Sequence, residues 1–233
     1  MAVNINLYKE IRNELATKDV TLIAVSKIQS VERILQLYHK GQRDFGENYV
    51  QELIEKHEQL PKDIRWHFIG HLQSNKVKFI TPFVSLIHGV DSEKLLKEIN
   101  KQAIKNNRVI DCLLQVHIAE EETKFGFDEK KLHEFLDSDF TKYRNIRVRG
   151  LMGMGSFSDD ENKVREEFKR LKELFDNYFS LKRKDNNTDF ATSDIKHFAS
   201  NILSMGMSSD YKIAIEEGSN MVRIGSLIFG RRN

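Results

Sequence analysis

Residues 21–49 read TLIAVSKIQSVERILQLYHKGQRDFGENY and contain one complete strand–helix–strand unit. The apolar run 21–27 is typical of a buried strand, and 44–49 is a second short run of the same kind. Between them, Val31, Ile34 and Leu35 form an apolar stripe with helical spacing. Gly41 stands where a glycine commonly follows the last turn of a helix. The stretch therefore predicts two parallel strands joined by a helix.

The same alternation of strand and helix continues along the rest of the chain. Strand-like runs occur at residues 21–27, 44–49, 65–70, 85–90, 110–118, 147–154, 201–207 and 221–230. Ser158 and Glu161 form an S-x-x-E capping pattern ahead of the longest amphipathic stretch, and the polar residues 182–194 predict a mobile loop. Eight such units in 233 residues predict an α/β fold, a single (β/α)8 TIM barrel over residues 1–233, rather than a doubly wound sheet.

Composition and charge exclude several classes of protein. The 37 lysines and arginines nearly balance the 35 acidic residues, giving a formal charge of +2, which disfavours a dedicated nucleic-acid binder. The sequence contains neither a secretory leader nor an apolar stretch long enough to span a membrane, so we expect a cytoplasmic protein without a membrane partner. Cys112, the single cysteine, lies in an apolar run and is predicted to be a core residue.

In a barrel, the segments at the ends of strands seven and eight are candidates for a binding site. In barrels of this kind the site lies at the C-terminal ends of the strands, and the loops after strands seven and eight commonly hold a phosphate. Strand seven ends in Gly206-Met207-Ser208, and strand eight carries RIGS at 223–226. Glycine lets backbone N–H groups approach a phosphate closely, and serine adds a hydroxyl. The alternative is that each segment is an ordinary turn at the end of a strand.

Lys27 is the last residue of the first predicted strand. Side chains alternate along a strand, so Ile23, Val25 and Lys27 share one face. If that face lies inside the barrel, the lysine amine stands at an apolar mouth, where desolvation favours the unprotonated form that a Schiff base with an aldehyde requires. The alternative is a solvated lysine at the end of a strand.

Two histidines stand four residues apart, at His67 and His71. The glutamate of the H-E-x-x-H zinc motif is missing, and the segment is predicted to be a strand running into a loop. No metal site is predicted from this pair. A hydrogen-bonded structural role is expected instead.

Taken in order, several short strings resemble one family. They are VSK (25–27), FGENYVQE (45–52), WHFIGHLQSNK (66–76), GLM (150–152), LSMGMS-x-D (203–210), AI (214–215) and VRIG-x-x-IFG (222–230). They resemble the pyridoxal phosphate homeostasis proteins, also called alanine racemase N-terminal domain-like proteins, nearly from end to end. The third and fifth strings are the most specific.

This resemblance implies a type III barrel, without the C-terminal β-domain of alanine racemases, that binds pyridoxal 5′-phosphate (PLP). It implies that Lys27 holds the cofactor as a Schiff base and that Arg223 faces the pyridine nitrogen. The phosphate would be held by Ser208, Gly225 and Ser226, and Asn48 would lie near the cofactor ring.

The resemblance also implies vitamin B6 homeostasis without catalytic turnover. The first alternative is an amino-acid racemase, which needs a second acid or base on the face away from the lysine. Tyr49, His67 or His71 would have to supply this acid or base, because the sequence ends at Asn233 without a second domain that could do so. A less favoured alternative is a Schiff-base aldolase acting on a phosphorylated substrate. We expect a monomer whose further partners would be PLP-dependent apo-enzymes.

Overall fold

The structure is a computed structural model that describes residues 3–119, 125–138, 142–179 and 201–230. The loop predicted at 182–194 lies outside the described residues. None of the helices in the described ranges has the length and apolar character needed to cross a membrane.

The described residues form eight parallel strands that close into one barrel in chain order. The strands are β1 (Thr21–Val25), β2 (Asp44–Glu47), β3 (Arg65–Phe68), β4 (Leu86–Val90), β5 (Ile110–Val116), β6 (Ile146–Gly153), β7 (Ile202–Ser204) and β8 (Met221–Ile224). Each predicted strand-like run overlaps one of them, and β6 begins one residue before its predicted run. The predicted (β/α)8 barrel is confirmed.

Helices alternate with the strands around the barrel. They are α1 (Ile5–Thr17), α2 (Val31–Tyr38), α3 (Val50–Gln59), α4 (Val77–Ile80), α5 (Glu93–Lys105), α6 (Glu129–Leu136), α7 (Glu161–Phe179), α8 (Tyr211–Glu216) and α9 (Ser226–Phe229). Helix α2 is the one predicted between the first two strands, and Gly41 follows it with a φ of +90°.

Two local predictions differ from the structure. The sequence predicts one strand over 221–230, but only Met221–Ile224 pairs with β1, and the chain then turns at Gly225 into α9. The second difference concerns the start of α7. Asp160, rather than Ser158, accepts from the backbone N–H groups of residues 162 and 163, because Ser158 is already bonded to the N–H of Asp160.

Closure of the barrel depends on the pairing of β1 with β8. Ile23 lies opposite Arg223, and Ala24 lies opposite Ile224. This register brings the ends of the first and last strands to the same rim. Residues that follow β1 therefore stand beside residues that follow β8.

The barrel interior contains an apolar cluster that is separate from the main core between strands and helices. Its members are Ile23, Leu86, Leu113, Met152 and Met221, contributed by β1, β4, β5, β6 and β8. The interior is thus packed with side chains, as in other barrels of this size. Cys112 is fully buried in the main core, as predicted, and burial raises the pKa of its thiol above the ordinary range.

An ion pair lies at the N-terminal end of β2. Burial alone would raise the pKa of Asp44, but hydrogen bonds from His67 and Arg65 outweigh it and lower the pKa to about 2. Nε of Arg65 lies 2.6 Å from Oδ1 of Asp44, and Nε2 of His67 lies 3.1 Å from the same oxygen. Asp44 is therefore ionised throughout the physiological pH range.

Replacing this carboxylate should produce a pH-dependent loss of stability. The folded-state pKa lies below the unfolded value, so the stabilisation is complete above about pH 4 and disappears as the pH falls through about 2. Asp44→Asn should lower the free energy of unfolding by about 2 kcal/mol at pH 7 and by about half as much at pH 3. Urea unfolding at both pH values measures this. Glu10→Gln, at an exposed carboxylate of α1, is the control, and an equal loss at both pH values would contradict the assignment.

Candidate functional site

Lys27 lies two residues after the end of β1 and is half-buried. Ile23, on the same face of the strand, belongs to the interior cluster, so the face that leads to Lys27 is the inner one. The N–H of Ser26 donates to the carbonyl of Gly46, 3.0 Å away, which continues the pairing with β2 past the strand end. Lys27 thus stands at the C-terminal mouth of the barrel.

The ends of β7 and β8 meet beside this segment. The backbone N–H of Gly225 donates to Oγ of Ser208, 3.2 Å away. A β-carbon on Gly225 would lie 3.2 Å from both the Cβ and the carbonyl oxygen of Val25, so the chain after β8 packs closely on the last residue of β1. The structure therefore brings two of the predicted phosphate residues together, next to the strand that carries Lys27.

Two other predicted residues occupy the same rim. Ser226 is exposed and is the first residue of α9, directly after Gly225. Asn48 follows β2, and its Oδ1 is buried without a hydrogen-bond partner in the described structure. Its backbone packs directly on Gly70, where a β-carbon would overlap the Asn48 carbonyl oxygen. Buried amide oxygens are nearly always bonded, so this oxygen is available to a ligand.

Arg223, on β8, is buried inside the barrel. Its Nη1 donates to Oγ of Ser204, 2.6 Å away, and its Nη2 donates to the carbonyl of Gly153, 2.9 Å away. Burial lowers the pKa of Arg223 to about 10, so the guanidinium remains charged at neutral pH. The last residues of β6 and β7 thus fix its position.

Arg223 is one end of a hydrogen-bonded chain that crosses the barrel. Ser204 Oγ lies 3.2 Å from Nδ1 of His88, and Nε2 of His88 lies 3.0 Å from Nδ1 of His67. His67 contacts Asp44 through its other nitrogen. We call Arg223, Ser204, His88, His67 and Asp44 the transverse chain. It links β8, β7, β4, β3 and β2 through side chains that are all buried or half-buried.

The proton positions along the transverse chain follow from its two ends. Ionised Asp44 can only accept, so His67 donates from Nε2; with a neutral His67 ring, Nδ1 accepts from Nε2 of His88. Nδ1 of His88 then accepts from the Ser204 hydroxyl, whose oxygen accepts from Arg223. Burial lowers the pKa of His88 well below its usual range, and the charge of Arg223 lowers it further, so His88 is neutral. Every donor in the transverse chain points away from Arg223.

The structural role predicted for His67 is confirmed by these contacts. His71 lies apart from His67, bonded to Asp91 at 3.1 Å and stacked on the Phe125 ring. Among the described residues, no group of three or more histidine, cysteine or acidic side chains is arranged to hold a metal ion.

Sequence reasoning does not find His88 or Ser204 as members of the site. His88 lies in an apolar run with no motif. Ser204 is part of the LSMGMS string, but phosphate sites in barrels are expected after the strand ends, which favours Ser208, four residues further on. Both contacts join strands that are distant in the sequence, and no local pattern signals them.

These features define the class of the protein: a closed parallel barrel with a lysine after the first strand and hydroxyl and amide donors after the last two. The sequence matches the family described as "Alanine racemase, N-terminal domain" over residues 4–233, and the chain belongs to that family.

Within this family the similar proteins carry one name. A protein of Aquifex aeolicus named "Pyridoxal phosphate homeostasis protein" is 42% identical over 91% of this chain and 86% of its own length. A protein of Schizosaccharomyces pombe with the same name is 37% identical over 96% of this chain and 89% of its own length. The chain belongs to the pyridoxal phosphate homeostasis proteins, and the predicted family is confirmed.

Solved structures agree with this assignment. PipY of Synechococcus elongatus without PLP is 30% identical and superposes with a TM-score of 0.84 over 97% of this chain and 99% of that chain. The PLP-bound form of PipY has a TM-score of 0.78 over the same shares. Alanine racemase of Bartonella henselae, 15% identical, shares the fold with a TM-score of 0.66, and this chain covers 59% of it.

The proton order in the transverse chain can be tested directly. Nitrogen-15 NMR of the histidine rings should show His67 and His88 as neutral rings protonated at Nε2. Ser204→Ala should move the His88 ring signals and lower the free energy of unfolding by about 1–3 kcal/mol, because it leaves buried donors and acceptors unpaired. A His88 ring protonated at Nδ1 in the unmodified chain would contradict the order.

Proposed function

We propose that this chain binds PLP at the C-terminal mouth of the barrel and takes part in PLP homeostasis. In this proposal Lys27 holds the cofactor as a Schiff base, and Ser208, Gly225 and Ser226 bind its phosphate. Arg223 faces the pyridine nitrogen, and Asn48 lies near the ring. The PLP bound to PipY and the shared name of the relatives support the cofactor.

One observation carries the proposal for these residues. The contact of Gly225 with Ser208 and Val25 brings the ends of β7 and β8 against the strand that leads to Lys27. An aldehyde and a phosphate on one small molecule need an amine and a set of N–H and O–H donors on the same rim. The positions of these residues meet that requirement.

The residues present also fit the remaining parts of PLP. The unpartnered Oδ1 of Asn48 supplies an acceptor at the mouth. Arg223 supplies a fixed cation whose charge opposes protonation of a ring nitrogen beside it. When bound, PLP supplies an aldehyde and, if its ring nitrogen is protonated, an electron sink. A cationic Arg223 weakens that second property.

We propose further that the chain has no catalytic turnover of its own. Racemisation needs a second base opposite the lysine. Both ring nitrogens of His67 are used in the transverse chain, and His71 is bonded to Asp91 and stacked on Phe125. Tyr49, 54% exposed at the start of α3, is the remaining candidate of the three. These contacts support a binding role over a racemase.

The proposal extends to a cytoplasmic monomer. The residues assigned to the cofactor come from one copy of the chain, so the site does not need a second copy to complete it. PLP-dependent apo-enzymes are the proposed further partners.

The lysine assignment predicts one labelled position. After incubation with PLP and reduction with borohydride, mass mapping should place the pyridoxyl adduct on Lys27. Lys27→Ala should remove the adduct and the visible absorbance band, whereas Lys78→Ala, at an exposed lysine of α4, should leave both unchanged.

The same variant tests for turnover. Conversion of L-alanine to D-alanine by the unmodified chain should not exceed that of Lys27→Ala. Faster conversion by the unmodified chain would overturn the non-catalytic part of the proposal. An adduct on a different lysine would overturn the assignment of Lys27.

The proposed phosphate site includes Ser208 but not the adjacent Ser209. Ser208 bonds to Gly225, whereas Ser209 is exposed on the same turn. Ser208→Ala should weaken PLP binding on the order of tenfold, because it removes a hydroxyl donor to a charged phosphate. Ser209→Ala should leave binding unchanged. Equilibrium dialysis measures both, and equal losses would contradict the division.

A further inference from the structure

A buried ionic cluster lies beneath the segment that carries Lys27. Nζ of Lys56, on α3, lies 2.7 Å from Oε1 of Glu47, 2.5 Å from Oε1 of Glu52 and 2.6 Å from the carbonyl oxygen of Ser26. Lys56 is 5% exposed and Glu47 is fully buried. The three acceptors match the three N–H groups of the ammonium. We call Glu47, Glu52 and Lys56 the ionic cluster.

The ionic cluster holds both peptide bonds of Lys27. On the N-terminal side, the Ser26 carbonyl accepts from Lys56, and the Ser26 hydroxyl donates to Oε1 of Glu47, 2.6 Å away. On the C-terminal side, the N–H of Ile28 donates to Oε1 of Glu52, 2.5 Å away. Charged side chains thus hold the backbone on either side of Lys27.

Ile28 gives a second, independent indication that this segment is held in place. Its φ is +62°, in the left-handed region that β-branched residues rarely adopt. Its side chain is 62% exposed, so apolar packing does little to keep it there. Such a conformation persists where the surroundings impose it. Two hydrogen bonds hold it: the Ile28 N–H donates to Glu52, and the Gln29 N–H donates to the carbonyl of Ser26, 3.0 Å away, which closes a turn over Lys27 and Ile28.

Keeping these charges buried is costly. Burial raises the pKa of Glu47 to about 7, although Lys56 and Ser26 act in the opposite direction. A buried ion pair is often no more stable than apolar residues of the same volume. The ionic cluster is therefore better explained by the geometry it imposes than by the stability it adds.

We propose that Glu47, Glu52 and Lys56 are positioning residues that hold residues 26–28 so that the Lys27 amine points into the barrel mouth. This inference rests on the proposed function of Lys27 as the residue that attaches PLP. None of the three residues needs to touch the cofactor. Their effect reaches it through the orientation of Lys27.

The sharpest test uses Glu52, because it is partly exposed and holds Ile28. Glu52→Ala removes the acceptor for the Ile28 N–H, whereas Glu52→Gln keeps an oxygen that can accept this bond. Glu58→Ala, at an exposed acid of the same helix, is the matched control. Lys56→Met is less informative, because it leaves Glu47 buried without its charged partner and is expected to unfold the chain.

Binding of two ligands distinguishes a role in positioning Lys27 from a general loss of order in the site. PLP can form the covalent link to Lys27, whereas pyridoxine 5′-phosphate has the same ring and phosphate but no aldehyde. Glu52→Ala should weaken PLP binding on the order of tenfold, as expected for the loss of one charge-assisted bond, and leave pyridoxine 5′-phosphate binding unchanged. Glu52→Gln should lie close to the unmodified chain, and Glu58→Ala should match it.

Equal loss of affinity for both ligands in Glu52→Ala, or no loss for either, would overturn the positioning role. Borohydride mapping of the unmodified chain is run beside these measurements. If the adduct is absent from Lys27 there, the proposed function fails. If the adduct is present and Glu52→Ala binds both ligands normally, only the positioning inference fails.

Discussion

The hydrogen bonds between β1 and β8 are the constraint on which the other features of the mouth depend. Without that pairing, Gly225 would not pack on Val25, and the segment carrying Lys27 would not share a rim with Ser208. The two strands are separated by almost the whole chain. Closing the sheet therefore brings together groups from the two ends of the sequence, and the loop-closure entropy is lost once for the entire set of contacts.

The packed interior of the barrel also accommodates a charged side chain, that of Arg223. Apolar side chains from five strands pack together in the interior, and the transverse chain crosses it through buried polar side chains. Each polar group in the transverse chain has a partner of the right kind, and the acidic group whose charge acts on Arg223 is the buried Asp210. A low dielectric strengthens such a chain when every member is bonded.

The barrel, the inner face of β1 and the rim position of Lys27 could be predicted from sequence, because alternation of side chains and the order of strands are local properties. The general location of phosphate sites in barrels predicts that Gly225 and Ser208 lie on one rim, and the structure brings them into contact. The partners of Arg223 could not be predicted in this way, since Ser204 and Gly153 reach it only through the register of β6 to β8. The ionic cluster is a similar case: Glu47 and Glu52 lie within the FGENYVQE string, but their contacts with residues 26–28 depend on the position of α3 beside the segment that follows β1. The end of β8 at Ile224 cannot be predicted from the sequence, because the apolar run continues unchanged into α9.

The packed interior also determines the route by which any molecule exchanges with Lys27. Ile23, Leu86, Leu113, Met152 and Met221 pack together inside the barrel, as is general in barrels of this size, so a molecule reaches and leaves Lys27 through the C-terminal mouth. A molecule bound at the mouth blocks the approach of the next one. The first molecule must therefore leave before a second can bind. If PLP is attached to Lys27 as proposed, a protein that received it directly would have to face the C-terminal mouth, and the bond to the lysine would have to break before PLP could leave.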